Sequence, residues 1–165
     1  MSRLTPITKR DQVTGDALKA FDAIIESRNS INGPHSMMMY APEVARCSTA
    51  LSDSLRFGGN LSDHDTELAI ITAARHWDCG YVWASHSAAA LKAGARPEAV
   101  EIIANGHGID GLTKEEAIIV RYGRELMDNH QLSQETFDAA LEQFGEANTI
   151  VLGALMGYYS FIACT

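Results

Sequence analysis

The sequence predicts an all-α protein built as a bundle of helical hairpins. Apolar residues recur at helical spacing in several segments that turn signals separate, and no segment alternates apolar with polar residues as a half-buried strand does. The chain of 165 residues is 46% hydrophobic and 21% charged, which is an ordinary globular composition. We therefore expect a single helical domain over residues 13–165, preceded by a flexible N-terminal arm at residues 1–12.

The first part of the chain carries the signals of three helices. Residues 14–28 have an apolar stripe with a polar back, and the turn-forming segment 29–34 ends this helix. A methionine-rich piece at residues 35–40 predicts one or two further helical turns. Pro42 begins the next helix, which runs to about Phe57 before a glycine turn.

The central segment predicts two consecutive helices. Ser62 followed by Asp65 is similar to a capping box and begins the first of them. Asp78 and Gly80 indicate a break around Cys79, after which a second helix runs to about residue 93. Further helices are predicted from Pro97 to the glycine-rich segment 105–111, from Thr113 to about Asn129, from Ser133 to about Phe144, and from Ala147 to the end.

A weak internal repeat is visible in the order of these helices. The helices that begin at Pro42 and Pro97 are each followed by a glycine-rich turn and then by a capped helix, at Ser62 and at Thr113. An ancient duplicated hairpin explains this order, and so do two ordinary capped helices.

Charge and cysteine content disfavour several classes of partner. The net charge is −8 and no cluster of Lys or Arg interrupts the acidic excess, which disfavours nucleic acid or an anionic membrane as a partner. The longest apolar run, residues 150–165, is too short to span a membrane, so we interpret it as a buried or subunit-interface helix. Cys47, Cys79 and Cys164 form no C-x-x-C pair, which is typical of a reducing cytoplasm.

The candidate functional residues are concentrated between Glu67 and His86. Cys79, Trp83 and His86 fall at i, i+4 and i+7, so a continuous helix would place them on one face with Val82. A thiol and an imidazole two turns apart could then face one pocket, with Trp83 as its apolar wall. The alternative is ordinary core packing, because cysteine and tryptophan are common in protein interiors.

These side chains predict acid/base or thiol chemistry. At the start of a helix Cys79 would meet free backbone N–H groups, which favour a thiolate. His86 could act as the base for that thiol, and Glu67 could orient His86 or exchange protons itself. His76 and His86 form no recognisable metal pair, and no H-E-x-x-H pattern occurs, so we expect neither a metal nor another cofactor.

This segment resembles the carboxymuconolactone decarboxylase family, which includes the alkyl hydroperoxidase D branch. The family pattern is a glutamate, a cysteine twelve residues later, a second cysteine three residues further and then a histidine; Glu67, Cys79 and His86 stand at three of these positions. Val82 replaces the second cysteine, and Tyr81 replaces a histidine that the peroxidase branch carries between its cysteines. Further likeness lies at Gly33-Pro34, at Pro42-Glu43-Val44 and over residues 87–100.

The resemblance implies an alkyl hydroperoxidase D-like fold, a small-molecule substrate, and a homotrimer or homohexamer. Its decarboxylase branch implies cofactor-free acid/base chemistry on a small lactone or organic acid, with His86 as proton donor and Glu67 as its partner. Tyr81 or Arg75 would hold the oxyanion or the carboxylate of the substrate. By the same resemblance, His35 is expected near the mouth of the pocket.

Two alternatives stay open at this point. The peroxidase branch implies a thiolate that attacks peroxide, here in a one-cysteine enzyme, because Val82 cannot resolve the sulfenic acid formed on Cys79. A non-catalytic oligomer that keeps the scaffold and only binds a small molecule is the other alternative. The sequence does not identify the substrate.

Overall fold

The computed structural model describes residues 3–106 and 108–165. This part of the chain contains eight α-helices and no strand, so the predicted all-α class is confirmed. The helices are α1 (Asp16–Arg28), α2 (Gly33–Met38), α3 (Pro42–Phe57), α4 (Asp63–His76), α5 (Gly80–Lys92), α6 (Pro97–Asn105), α7 (Lys114–Asp128) and α8 (Gln134–Ala163).

The helices α4 and α7 begin where their capping residues predicted, whereas α2 begins at Gly33, inside the segment predicted as a turn, because Pro34 is accommodated in its first turn. Ser62 Oγ accepts a hydrogen bond from the backbone N–H of Asp65 at 3.1 Å. Thr113 Oγ1 accepts from the N–H of Glu116 at 3.2 Å, while the Glu116 carboxylate accepts from the N–H of Thr113 at 2.7 Å. Each bond satisfies a donor that the first helical turn leaves unpaired. The two helices predicted at the end of the chain follow each other directly in α8, and the predicted break between them is confirmed at Gly145, which has the non-helical angles φ 75° and ψ 170°.

The chain divides into two compact units, one that extends to Ser54 and one that covers Leu55–Cys164. The first unit contains α1, α2 and most of α3, and the second contains the remaining helices. The expectation of a single domain over residues 13–165 stays a prediction.

The segment predicted as a flexible N-terminal arm makes specific contacts within the first unit. Met1 and Ser2 lie outside the described residues. From Thr5 onward the segment is hydrogen bonded, because the carbonyl of Thr5 accepts from the Tyr40 hydroxyl at 2.9 Å and the N–H of Ile7 donates to the carbonyl of Ser36 at 3.2 Å. A short 3-10 turn, Arg10–Gln12, follows.

The second unit is organised around α4. Every residue of this helix from Asp65 to Ala74 is buried, and α5, α6, α7 and α8 all contact it. A helix that is buried on every side needs close neighbours all round. At Gly123 of α7, an added Cβ atom would lie 2.8 Å from Cγ2 of Thr72 and 3.0 Å from Cε of Met156. This glycine therefore allows α7 to approach α4 and α8 closely.

The C-terminal half of α8 packs against α4 and α7. Its inner face carries Leu152, Leu155 and Met156, which are fully buried. Beside them Gly153 leaves room for the Tyr122 hydroxyl, since a Cβ atom there would lie 2.8 Å from that oxygen. Across the described ranges of the chain, α8 included, no helix has the length and apolar character required to cross a membrane.

Candidate active site

The hairpin of α4 and α5 brings two of the predicted catalytic residues together. Nδ1 of His86 lies 2.6 Å from Oε2 of Glu67, and these side chains are 15% and 8% exposed. An ionised carboxylate can only accept a hydrogen bond. Nδ1 of His86 therefore carries its hydrogen toward Glu67, and Nε2 is the basic atom of the ring.

Arg56, in the last turn of α3, holds the second oxygen of the Glu67 carboxylate. Its Nη2 lies 3.2 Å from Oε1 of Glu67, and its guanidinium is stacked over the Phe57 ring at 5.0 Å from the ring centroid. The two carboxylate oxygens thus have separate donors, one from Arg56 and one from His86. Such outer contacts fix the orientation of a carboxylate and of the imidazole that it binds.

Tyr159 of α8 contacts the other nitrogen of the imidazole. Its hydroxyl lies 3.3 Å from Nε2 of His86, and the two rings meet edge to face with centroids 5.1 Å apart. Because Nδ1 carries the hydrogen of the neutral ring, the Tyr159 hydroxyl donates to Nε2. Arg56, Glu67, His86 and Tyr159 form one hydrogen-bonded chain, which we call the Glu67–His86 cluster.

This cluster has the arrangement that general acid/base chemistry requires. A carboxylate bound to Nδ1–H stabilises the imidazolium that forms when Nε2 takes a proton. His86 can therefore accept and release a proton at Nε2 while Glu67 holds the ring in place. Within residues 3–106 and 108–165, no group of three or more His, Cys, Asp or Glu side chains is arranged to hold a metal ion.

Cys79 lies in the tight turn between α4 and α5. The turn places Asp78 in the left-handed region at φ 49°, and Cys79 is the N-cap residue of α5 with φ −82° and ψ 85°. The predicted position of Cys79 at the start of the second helix is confirmed. No hydrogen bond joins its sulfur to His86 in the part of the chain that the structure describes.

An open pocket of about 210 Å³ lies beside this turn. Its lining residues are Ala74, Arg75, Asp78, Cys79, Gly80, Trp83 and Ala104. Glu67 and His86 are not among them, so the structure places the predicted residues in two groups. Trp83 and His86 are three residues apart in α5, which corresponds to about 4.5 Å along the helix axis. The pocket and the Glu67–His86 cluster are therefore neighbours along α5.

Arg75 and Tyr81, the two residues predicted to hold the oxyanion or carboxylate of the substrate, differ in their surroundings. Nε of Arg75 donates to the carbonyl of Ala104 at 2.6 Å, and Nη1 lies 3.6 Å from the carboxylate of Asp78. These contacts hold the Arg75 guanidinium at the pocket. Tyr81 is 56% exposed and does not line the pocket.

His35 lies in α2 and belongs to the first unit. Burial, together with the nearby Arg28 guanidinium, lowers the pKa of the His35 imidazole to about 4, although the Asp53 carboxylate acts in the opposite direction. Nε2 of His35 is buried and has no hydrogen-bond partner among the described residues. The imidazole is therefore neutral at pH 7, and its place at the pocket mouth stays a prediction.

Sequence reasoning did not find two members of the Glu67–His86 cluster, Arg56 and Tyr159. Arg56 is 11 residues before Glu67 and on another helix, and Tyr159 is 73 residues after His86. In both cases the two residues lie on different helices, so the spacing of residues within one helix could not reveal the contact. A local signal for Tyr159 is the pair Tyr158-Tyr159 in the apolar run 150–165, where a buried hydroxyl requires a partner.

The fold and the cluster define a protein of helical hairpins in which a buried glutamate is hydrogen bonded to a partly exposed histidine. Residues 42–119 match the model of the carboxymuconolactone decarboxylase family, so the predicted resemblance is confirmed over this segment. The matched segment contains Arg56, Glu67, Cys79 and His86, whereas Tyr159 lies beyond it. The search of curated proteins finds no match to the chain.

Proposed function

We propose that this protein is an enzyme that uses the Glu67–His86 pair for cofactor-free acid/base chemistry, with decarboxylation of a small lactone acid as its reaction. The observation that carries the proposal is the 2.6 Å bond between His86 and Glu67, with Arg56 on the far oxygen of the carboxylate. Such a fixed pair supplies a proton at a defined position, which general acid catalysis requires.

The proposed reaction needs only a proton from the protein. The bond between the substrate carbon and its carboxylate breaks, CO2 leaves, and the electron pair moves onto the lactone carbonyl as an enolate. Nε2 of His86, which takes up a proton from solvent before this step, delivers that proton to the same carbon, and the electron pair of the enolate forms the new C–H bond. His86 regains a proton from solvent, to which its ring is partly exposed.

The pocket beside Cys79 supports the choice of a small acid as substrate. Its volume of about 210 Å³ is below that of sites for drug-sized ligands. We assign the substrate carboxylate to the Arg75 guanidinium and the apolar part of the substrate to the Trp83 ring. A molecule that rests on Trp83 lies within one helical turn of His86.

The experiment is a screen of carboxylated lactones for CO2 release. In D2O, we expect the product to carry one deuterium, at the carbon that lost its carboxylate, because His86 delivers one exchangeable proton to that carbon. The Glu67→Gln and His86→Gln variants should lose turnover, while circular dichroism shows that both stay folded. If no lactone acid releases CO2, or if both variants keep wild-type turnover, the proposal is wrong.

One observation favours a second candidate, thiol chemistry at Cys79. Cys79 is the N-cap residue of α5, and it lines the same pocket as Arg75. Its thiolate would attack an alkyl hydroperoxide, which gives a sulfenic acid and an alcohol. Two equivalents of an external thiol would then return the cysteine, as they are oxidised to their disulfide and water is released. Rapid addition of one oxygen that Cys79→Ser abolishes, seen by intact-mass spectrometry, would favour this candidate.

The same experiments also test the third possibility, a protein that binds a small molecule without converting it. It would be supported if lactone acids shift the melting temperature of the protein while neither CO2 release nor Cys79 oxidation is detected. The cytoplasmic location and the homo-oligomeric state also stay predictions.

A further inference from the structure

One face of α8 is exposed and apolar along its whole C-terminal half. Its large residues, Ile150 and Phe161, are 70% and 39% exposed. Ala147, Ala154, Gly157 and Cys164 complete the face and are exposed as well. We call these six residues the α8 seam. The opposite face of the same helix is the one that packs into the core and presents Tyr159 to His86.

The six seam residues follow a strict repeat of three and four residues. The positions are 147, 150, 154, 157, 161 and 164, which is the spacing of the a and d positions of a coiled coil. This spacing favours another helix as the partner, because a helix with the same repeat fills such a seam along its whole length by knobs-into-holes packing. Over the 17 residue steps the seam is about 26 Å long.

The charge distribution of the chain favours a second copy over a basic helix as the partner of the seam. The chain has a net charge of −8, yet residues 147–165 contain no charged side chain. A basic partner helix would meet no carboxylate along the seam. Two acidic chains, by contrast, can approach each other at this neutral face without placing like charges in contact.

We propose that the α8 seam binds the α8 seam of a second copy in antiparallel orientation about a twofold axis. The repeat reads the same in both directions, so Ala147 faces Cys164 of the second copy, Ile150 faces Phe161, and Ala154 faces Gly157. The large side chains meet at the two ends and the small ones meet at the axis. Both Ile150–Phe161 contacts are equivalent, as an isologous interface requires.

The surroundings of Gly157 agree with a close approach at the axis. A Cβ atom added there would have no atom within 4 Å in this chain. The glycine is therefore not required by packing inside the protomer. Small residues at a helix crossing allow two backbones to come close together, and Ala154 with Gly157 provides them on both sides of the axis.

The twofold contact restricts the oligomers that the chain can form. A twofold interface gives a dimer, and together with a threefold interface it gives a hexamer, whereas a closed trimer cannot contain it. Of the homotrimer and homohexamer predicted from the resemblance, the seam is compatible with the hexamer. This inference is independent of the reaction that the protein performs.

Disulfide trapping tests the orientation directly. In a Cys47→Ser, Cys79→Ser background, adding Ala147→Cys should give a covalent dimer on mild oxidation, and peptide mapping should show residue 147 joined to Cys164 of the other copy. The same background without Ala147→Cys should give little dimer, because the antiparallel pairing keeps the two Cys164 residues apart. Ala147→Cys combined with Cys164→Ser is the matched control and should not cross-link. Rapid dimer formation through Cys164 alone would overturn the antiparallel pairing.

Sedimentation equilibrium at micromolar concentration tests the interface itself. Ile150→Asp places a carboxylate in the seam and should halve the mass of the assembly, from dimer to monomer or from hexamer to trimer. Phe137→Asp, an exposed apolar position in the other half of α8, should leave the mass unchanged. Circular dichroism shows whether each variant is folded. A monomeric or trimeric wild-type protein, or a folded Ile150→Asp variant of unchanged mass, would overturn the proposal.

Discussion

At the scale of single residues, the Glu67 carboxylate is the best-defined group of the site. It is buried, and its two oxygens accept from different donors, Nη2 of Arg56 and Nδ1 of His86. A buried carboxylate with two charged or polar donors has little freedom to rotate. His86 is held by Glu67 on one side and by Tyr159 on the other, so the position of Nε2 is fixed before any substrate binds.

Removing Arg56 should weaken both the fold and the cluster. We expect Arg56→Met to lower the free energy of unfolding by about 1–3 kcal/mol, because Glu67 would lose a charge-assisted hydrogen bond while staying buried. Urea unfolding of Arg56→Met, Glu67→Gln and the double variant measures the coupling between the two side chains. The losses should be less than additive, since each variant removes the same bond. Additive losses would show that the two residues act independently.

His35 should make the stability of the protein depend on acid. Its pKa is about 4 in the folded chain, where burial disfavours the charged ring, against an ordinary value of 6.5 in the unfolded chain. Between pH 6.5 and about 4 the unfolded chain binds a proton that the folded chain does not, so the free energy of unfolding falls as the pH falls. His35→Gln should show a smaller fall across this window. Equal pH dependence in both proteins would contradict the assignment.

At the scale of elements, the residue at which α5 begins decides whether Cys79 shares a helix face with His86. The shared face predicted for Cys79 and His86 assumed one continuous helix. α5 instead begins at Gly80, and Cys79 has ψ 85°, so its side chain does not follow the helical register. Trp83 and His86 do lie within the helix. Asp78 and Gly80 predicted the break, but the sequence could not give the direction of a side chain at the break.

The starts of α3, α6 and α7 could be predicted because their signals are local. Pro42 and Pro97 begin α3 and α6, and the Thr113–Glu116 capping box precedes α7. Arg56 and Tyr159 could not be predicted as members of the site, because their contacts depend on where the last turn of α3 and the helix α8 lie beside Glu67 and His86. Spacing within one helix carries no information on that packing.

Close packing around α4 should make Gly123 sensitive to substitution. We expect Gly123→Ala to lower the free energy of unfolding by about 1–3 kcal/mol, since the new methyl group would overlap Thr72 and Met156. Gly80→Ala is the matched control, because a Cβ atom there has no neighbour within 4 Å. Thermal unfolding followed by circular dichroism compares the two variants. A Gly123→Ala protein as stable as the wild type would show that α7 can move away from α4 without cost.

At the scale of the whole molecule, α8 has two separate roles. Its inner face brings Tyr159 to the Glu67–His86 cluster, and its outer face is the seam that we propose for self-association. The family match ends at residue 119, before α8 begins. Tyr159, which completes the cluster, therefore lies outside the segment that matches the family model.

The most direct test of the acid/base account compares His86→Gln with Cys79→Ser in one assay. On a lactone acid that the wild-type protein decarboxylates, His86→Gln should lower kcat by about a hundredfold to ten-thousandfold, the usual contribution of a general acid. Cys79→Ser should leave kcat nearly unchanged, since the thiol makes no hydrogen bond to His86. The account would be contradicted if Cys79→Ser abolished turnover while His86→Gln retained it.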